Sequence, residues 1–342
     1  MCTSFALKDK DGSYVYGRTL EFGRDLEESL LLLPRQYSYQ GSGPDGVSVS
    51  GLNWIGKYAV IGVNIFGLDL LLDGMNEKGL SAGLLNLPNS ADYQKPTGAD
   101  AKNSIASYQM LNYALSNFAT VDEVKLGFQK IFVNSSELKA WNGVPKCHMT
   151  LHDLQGKSIV IEYLEGKLVI TDNPIGVMTN DPPMAWQLIN VGNYINLSPL
   201  EKDPITFDGE TFAPPSSGSG LHGLPGDFLS PSRFLRAFEY SMAAAKYAPD
   251  QPKVELAWRL VNMFDIPPGS VMIPPGDPYA GGVSGWEYTQ TSIVTDAKNL
   301  TYYVRNFKSL NIKKFELMSH DLTAKVVQQF QIGNVTTYET IQ

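Results

Sequence analysis

Met1-Cys2-Thr3-Ser4-Phe5-Ala6 opens the chain, a cysteine behind the initiator followed by a short alternating run. The reading of this stretch decides both the fold and the chemistry. A chain terminus ordinarily frays and carries no function. Here, removal of Met1, which the small residue behind it permits, gives Cys2 a free α-amine beside its thiol. Nucleophile and base then share one residue. The reference pKa of such an amine, about 7.7–8.0, leaves an appreciable fraction unprotonated near neutrality and able to take the thiol proton. A lone cysteine in second place is also an ordinary accident, so the surrounding residues must carry the argument.

Working outward, residues 3–7 and 14–18 read as two strands joined by Lys8-Asp9-Lys10-Asp11-Gly12-Ser13, whose Asp-Gly pair signals a hairpin. The hairpin lays Arg18 alongside the N-terminus, where its guanidinium would favour a thiolate at Cys2. Glu21 follows within a turn and could hold the α-amine or pair with Arg18. Asn86 and Asn180 both stand where strand patterns end, which suits side-chain amides aimed at an oxyanion. Asn in loops is more often a turn-maker.

The rest of the chain supplies layers. Residues 30–33 and 58–63 are strand-like, and Asp73-Gly74-Met75-Asn76-Glu77-Lys78-Gly79-Leu80 reads as a turn-rich connector between strands at 68–72 and 81–85. Helical spacing follows over 104–118, then Thr120 with Glu123 forms a capping box for a helix over 121–131. A β meander spans 147–171, a Gly/Pro/Ser-rich loop 212–229, helices 232–247 and 253–264, and strands close the chain at 286–295, 301–307 and 314–317. The order of β block, helices, β block, helices, β block fits helices layered outside packed sheets in a single domain over 1–342.

Composition narrows the function. The 342 residues carry a formal net charge of -8 with no Lys/Arg block, so neither nucleic acid nor an anionic membrane is an expected partner. No apolar run approaches the ~18 residues of a membrane span. Two cysteines and four scattered histidines offer no zinc-type spacing, and neither metal nor cofactor is expected. No signal-peptide pattern precedes Cys2: a native Met1 implies the cytoplasm, and a Met1 standing in for a removed leader implies the periplasm. A competing thiol reading makes Cys147 a papain-like nucleophile with His148 or His152. Alternation along the run places Cys147 on the face opposite both histidines, which argues against it.

Five separated stretches resemble the choloylglycine hydrolases, a family of N-terminal nucleophile hydrolases that includes bile salt hydrolases and penicillin V acylases. They are Met1-Cys2-Thr3-Ser4 with Gly17-Arg18-Thr19; the Asp73–Leu80 stretch; Met178-Thr179-Asn180-Asp181-Pro182-Pro183 running into Trp186-Gln187-Leu188; Gly223-Leu224-Pro225-Gly226-Asp227-Phe228 with Ser232-Arg233-Phe234; and Trp286-Glu287-Tyr288-Thr289-Gln290-Thr291. The resemblance implies an α+β fold, a four-layer αββα sandwich, and hydrolysis of a linear carboxamide through an acyl-enzyme on Cys2. It implies a small-molecule amide substrate and a homotetramer. Carried over residue by residue, Arg18 and Arg233 flank the thiol, Asn180 supplies an oxyanion donor, and Leu20, Phe22, Phe66 and Leu87 line the acyl pocket.

Asn86 stands where bile salt hydrolases tend to have Asn and penicillin V acylases Tyr. Glu21 departs from the Asp usual in the family. Its extra methylene moves the carboxylate by about 1–1.5 Å, and displacements near 1 Å can cost ~100-fold in rate. Leu87 and Asn89 depart from the aromatic and glycine common there. Conjugated bile acids or penicillin V are thus the expected substrate class. An acyl-homoserine lactone acylase is the alternative within the amidases, and a binding protein that has lost catalysis is the alternative outside them.

Overall fold

The computed structural model describes residues 1–44, 50–274 and 285–341. Its frame is two antiparallel sheets. In the first, the N-terminal strand Cys2–Lys8 lies at an edge beside Tyr14–Phe22, which pairs with the 12-residue strand Gly285–Asp296, followed by Thr301–Asn306 and Ser309–Glu316. The second sheet has eight strands and is built around Leu71–Asn76, Ser81–Asn86 and Cys147–His152.

Alternation explains the layers. Leu30 and Leu32 face the space between the sheets with Tyr14, Tyr16, Ile61, Met75, Ile293 and Tyr302, whereas Leu31 and Leu33 face the helices Met110–Asn117 and Val121–Phe128. A strand buried on both faces reads as an unbroken apolar run, as Leu30–Leu33 does. Helices Ser230–Tyr247 and Lys253–Asn262 cover the outer face of the first sheet through Phe234, Ala237, Trp258 and Val261. The result is helix, sheet, sheet, helix, the expected αββα sandwich. No helix of the described residues is long and apolar enough to cross a membrane.

Several expectations are corrected in detail. The helix expected over 104–118 begins as the strand Ser104–Ala106, paired in parallel with Phe132–Asn134, and is α-helical over Met110–Asn117. The first half of the connector expected at Asp73–Leu80 belongs to the strand Leu71–Asn76, and the chain turns over Glu77-Lys78-Gly79-Leu80. A short hairpin, Ile205–Phe207 with Glu210–Phe212, leads into the Gly/Pro/Ser-rich loop and turns at Asp208-Gly209, an Asp-Gly signal that the sequence reading passed over. Half of the capping box forms: Glu123 N donates to Thr120 Oγ1 at 3.2 Å, whereas Glu123 Oε2 accepts from Ala119 N, one residue before the cap, at 2.7 Å.

Two local features position the N-terminus. Edge strands need cover, and a single bridge between Ser4 and Met178 provides it, with Ser4 N donating to Met178 O at 2.8 Å and Met178 N to Ser4 O at 3.1 Å. A bulge between Thr289 and Thr291 leaves Gln290 as the extra residue opposite Tyr14–Phe22. Bulges redirect side chains next to functional sites. Here Gln290 turns inward and donates to the carbonyls of Phe22 and Arg24 at 3.0 and 2.6 Å.

Glu28 gives a pH test of this packing. Burial pushes its carboxyl up to about 7, against the bond from Thr291 Oγ1 at 3.2 Å. A carboxyl raised in the folded state costs stability as pH climbs from its unfolded value towards 7, because the native chain holds a proton that the unfolded chain releases. The penalty, on the order of 2 kcal/mol after allowance for its partial exposure, is fully present above pH 7. Glu28→Gln is expected to melt like the parent at pH 4 and at a higher temperature at pH 8. A Tm difference that is the same at both pH values would contradict this.

Candidate active site

Cys2 begins the edge strand and pairs with Leu20, so its side chain shares a face with those of Arg18, Leu20 and Phe22. Arg18 is fully buried and donates Nη2–H to Cys2 Sγ at 3.3 Å. Burial alone would lower the basicity of this guanidinium, but Cys2, Tyr16 and Asp73 outweigh it and hold the charge more firmly than usual. A fixed cation thus stands against the sulfur in a dry site.

On the backbone side of Cys2, Asn180 acts as a hub. Its Oδ1 accepts from Cys2 N at 2.9 Å and from Arg233 Nη2 at 2.7 Å, while its Nδ2 donates to the Asn86 carbonyl at 2.7 Å. An amide nitrogen has two hydrogens, and the Asn86 carbonyl takes one of those on Asn180. The Ser4–Met178 bridge delivers this residue, two positions further along the chain. Arg233 arrives from the first turn of the helix Ser230–Tyr247 and is 1% exposed. It donates to the Cys2 carbonyl, to Thr3 Oγ1 at 2.8 Å and, through Nε, to the Phe228 carbonyl at 2.9 Å.

Glu21 does not pair with Arg18. Three positions apart on one strand, the two side chains leave opposite faces of the sheet. Glu21 Oε1 instead accepts from Thr289 Oγ1 at 2.9 Å. Burial raises its carboxyl above the usual range, opposed by the N-terminal amine, Arg233, Thr19 and Thr289. Met1 extends the strand pairing: its amine donates to the Glu21 carbonyl at 2.9 Å and to Glu287 Oε1 at 3.1 Å, and Glu21 N donates to the Met1 carbonyl at 3.0 Å. The position Met1 vacates on removal therefore lies between Glu21 and Glu287.

A cavity opens beside Cys2, walled by Leu20, Phe22, Leu26, Ile65, Leu72 and Trp141. Its lining is overwhelmingly apolar, and Cys2, Arg18, Glu21, Asn86 and Tyr108 are its polar members. A second recess shares Asn86 and Trp141 with it and carries Asn142 and the exposed Lys146.

The chain matches the family model for linear amide C–N hydrolases, choloylglycine hydrolase family, over residues 2–336. The chain belongs to the choloylglycine hydrolase family. It is 33% identical over 240 residues to a bile salt hydrolase/transferase of Clostridium perfringens, covering 69% of this chain and 70% of that one. It is 32% identical over 196 residues to a penicillin V acylase of Pectobacterium atrosepticum, covering 55% and 51%. The crystal structure of a mutant conjugated bile acid hydrolase from Clostridium perfringens superimposes with a TM-score of 0.88 at 27% identity, covering 100% of both chains. The fold is thus that of the N-terminal nucleophile hydrolases, and the protein is an amidohydrolase acting on linear amides.

Of the four pocket residues named from the sequence, Leu20 and Phe22 line this cavity, and the other two sit elsewhere. Leu87 is fully buried in the helix-covered core, because the first residue past the strand Ser81–Asn86 turns to the helix side. Phe66 stands behind the wall, 6.4 Å from the Trp141 ring and under the Arg24 guanidinium at 4.5 Å. Leu26, Ile65 and Trp141 were missed by sequence reasoning. Their loops carry no motif, and the tie from Gln290 to the 22–26 segment is a long-range bond.

Cys147 pairs with Asn86 and lies at the margin of the same cavity, yet it makes no histidine contact. Burial pushes its thiol up to about 12. His148 is committed to Glu162 Oε1 and the Thr179 carbonyl, each at 3.0 Å, and burial holds the His152 ring neutral, its pKa down at about 3. Cys147→Ala is expected to leave turnover unchanged and to cost on the order of 1 kcal/mol in stability. Loss of activity in a variant that still melts cooperatively would restore the papain-like reading.

Proposed function

We propose that this protein hydrolyses amides joining a bulky apolar acyl group to a small amine that carries an acid, with conjugated bile acids as the preferred class. The observation that carries the reading is Arg18 Nη2 at 3.3 Å from Cys2 Sγ, at the rim of a cavity walled by aliphatic and aromatic side chains. Burial of an acyl group against such walls is worth about 25 cal/mol per Å². Lys146 in the adjoining recess suits the acid on the departing amine.

The proposed sequence of steps follows from the geometry. After Met1 leaves, the Cys2 nitrogen is an amine held by Asn180 Oδ1. It takes the thiol proton while Arg18 steadies the thiolate. Sulfur attacks the carbonyl carbon, and the spare N–H of Asn180, with Asn86 at the cavity mouth, meets the oxyanion. The amine of Cys2 then passes its proton to the leaving nitrogen, the C–N bond breaks and a thioester remains. Water, deprotonated by the same amine, cleaves it and restores the thiol. Arg233 and Glu21 flank this nitrogen, the one through Asn180 and the other across the strand pair.

A homotetramer belongs to the same reading. The exposed side chains of Ile205, Phe207 and Phe212 on the short hairpin, with Ile189 and Ile195 before it, support burial against a second copy. Light scattering is expected to return four times the chain mass.

The substrate reading is tested by kcat/KM for glycocholate, penicillin V and a long-chain acyl-homoserine lactone. Glycocholate is expected to lead, since Asn86 stands in place of the tyrosine associated with penicillin V acylases. Penicillin V or the lactone leading by tenfold would overturn the preference. Turnover of none of the three would favour the binding-protein reading.

A further inference from the structure

Arg18 is shared between two sites. While Nη2 donates to Cys2, Nη1 donates to the Leu72 carbonyl at 2.8 Å and stands 3.5 Å from Asp73 Oδ2. Asp73 is fully buried, and both of its oxygens are taken by phenols: Tyr302 O–H donates to Oδ1 at 2.8 Å and Tyr16 O–H to Oδ2 at 3.0 Å. The three residues come from different strands and from both sheets. Gly83 makes room for them, because a Cβ there would lie 2.4 Å from Tyr16 Oη, 3.0 Å from Asp73 Oδ2 and 3.2 Å from Arg18 Nη1. The cluster is a built feature of the space between the sheets.

We infer that Asp73, held by Tyr16 and Tyr302, is a positioning residue that competes with the Cys2 thiolate for the Arg18 cation and so sets how strongly that cation activates the nucleophile. The inference rests on the reading of Cys2 as nucleophile and Arg18 as its partner. A buried cation needs an anion. Arg18 has two within reach, and what Asp73 neutralises is unavailable to the thiolate. Arg18 first, and then the tyrosines donating to both oxygens, oppose the burial and favour the ionised carboxyl, and the long 3.5 Å approach leaves Arg18 only partly committed. Burial nevertheless pushes the carboxyl up to about 6, so below that pH it takes a proton and releases Arg18 to Cys2. The other charged or titratable groups around the thiol are Arg233 at its backbone, its own α-amine, and Glu21 and Glu287 beyond that amine. None of these touches the Asp73 cluster.

The test is the rate of Cys2 alkylation by iodoacetamide in protein lacking Met1, which reads the thiolate without any substrate. Arg18→Gln is expected to slow it. Asp73→Asn keeps the size of the side chain, leaves the thiolate as the remaining anion for Arg18, and is expected to speed alkylation at pH 7 by roughly threefold to tenfold. That excess narrows towards unity below pH 6, where the parent carboxyl is itself neutral. In an Arg18→Gln background, Asp73→Asn is expected to do nothing, because a carboxyl buried without its cation is already protonated. Tyr302→Phe, a milder change that removes one donor, moves alkylation in the same direction by a smaller factor and serves if Asp73→Asn does not fold.

A structural role for Asp73 would lower the melting temperature and leave these rates alone. Unchanged or slower alkylation in both variants, with Arg18→Gln still slow, overturns the inference and spares the reading of Arg18. Unchanged alkylation in Arg18→Gln itself overturns that reading, and the inference with it.

Discussion

Protein that retains Met1, or that carries Cys2→Ala, is expected to hydrolyse no amide. With Met1 present the Cys2 nitrogen is a peptide N–H that donates to Asn180 Oδ1 at 2.9 Å. A peptide nitrogen has no basic lone pair to take the thiol proton, and the amine of Met1 is held away by the Glu21 carbonyl and Glu287. No histidine contacts Cys2 among the described residues, so no other base takes over. General base catalysis supplies about 10²–10⁴-fold, and the loss of the nucleophile removes the covalent path as well. A non-cleavable N-terminal extension is expected to match Cys2→Ala in turnover while folding cooperatively. Cys2→Ser is expected to retain a slow rate, because its amine survives but a hydroxyl gives up its proton far less readily than a thiol. Intact-mass analysis beside the assay decides the matter: full turnover with Met1 retained would refute the shared amine and thiol.

The parts of this site that were legible in the sequence are those fixed by local pairing. The hairpin with its Asp11-Gly12 turn sets the register that puts Cys2 opposite Leu20, and strand alternation then places Arg18 on the thiol's face. The same alternation sends Glu21 to the other face, a consequence available from the sequence but masked by nearness in number. Asn180 stood out as an amide at the end of a strand pattern, but its tie to Cys2, and Arg233 altogether, came from resemblance to the family, since no spacing rule connects positions 178 and 231 residues from Cys2. Asp73 was visible as a turn former and not as a buried acid. Its role depends on Tyr302, which is 229 residues away. The cavity wall was legible in its strand residues, Leu20 and Phe22, and not in Trp141, which is carried in by a loop and set 4.7 Å from the Phe22 ring.

Asn180→Ala is expected to lower kcat by roughly 100- to 1000-fold with a smaller change in KM, because Asn180 touches the reacting residue and lies outside the acyl cavity lining. The same change strips a partner from Arg233, which is buried and holds the Cys2 carbonyl, so folding stability is expected to fall by about 1–3 kcal/mol. That leaves two explanations for a slow variant, a lost oxyanion donor and a displaced nucleophile. Asn180→Asp separates them. A carboxylate accepts from the Cys2 nitrogen and from Arg233 as Oδ1 does now, so the nucleophile stays in place and stability recovers. It has no N–H for the Asn86 carbonyl or for the oxyanion, and its charge favours the ammonium form of the Cys2 amine over the free base. The aspartate variant is therefore expected to be as slow as the alanine variant while melting close to the parent. If it instead recovers activity along with stability, Asn180 serves to hold Cys2 and Arg233, and the oxyanion is met by other donors.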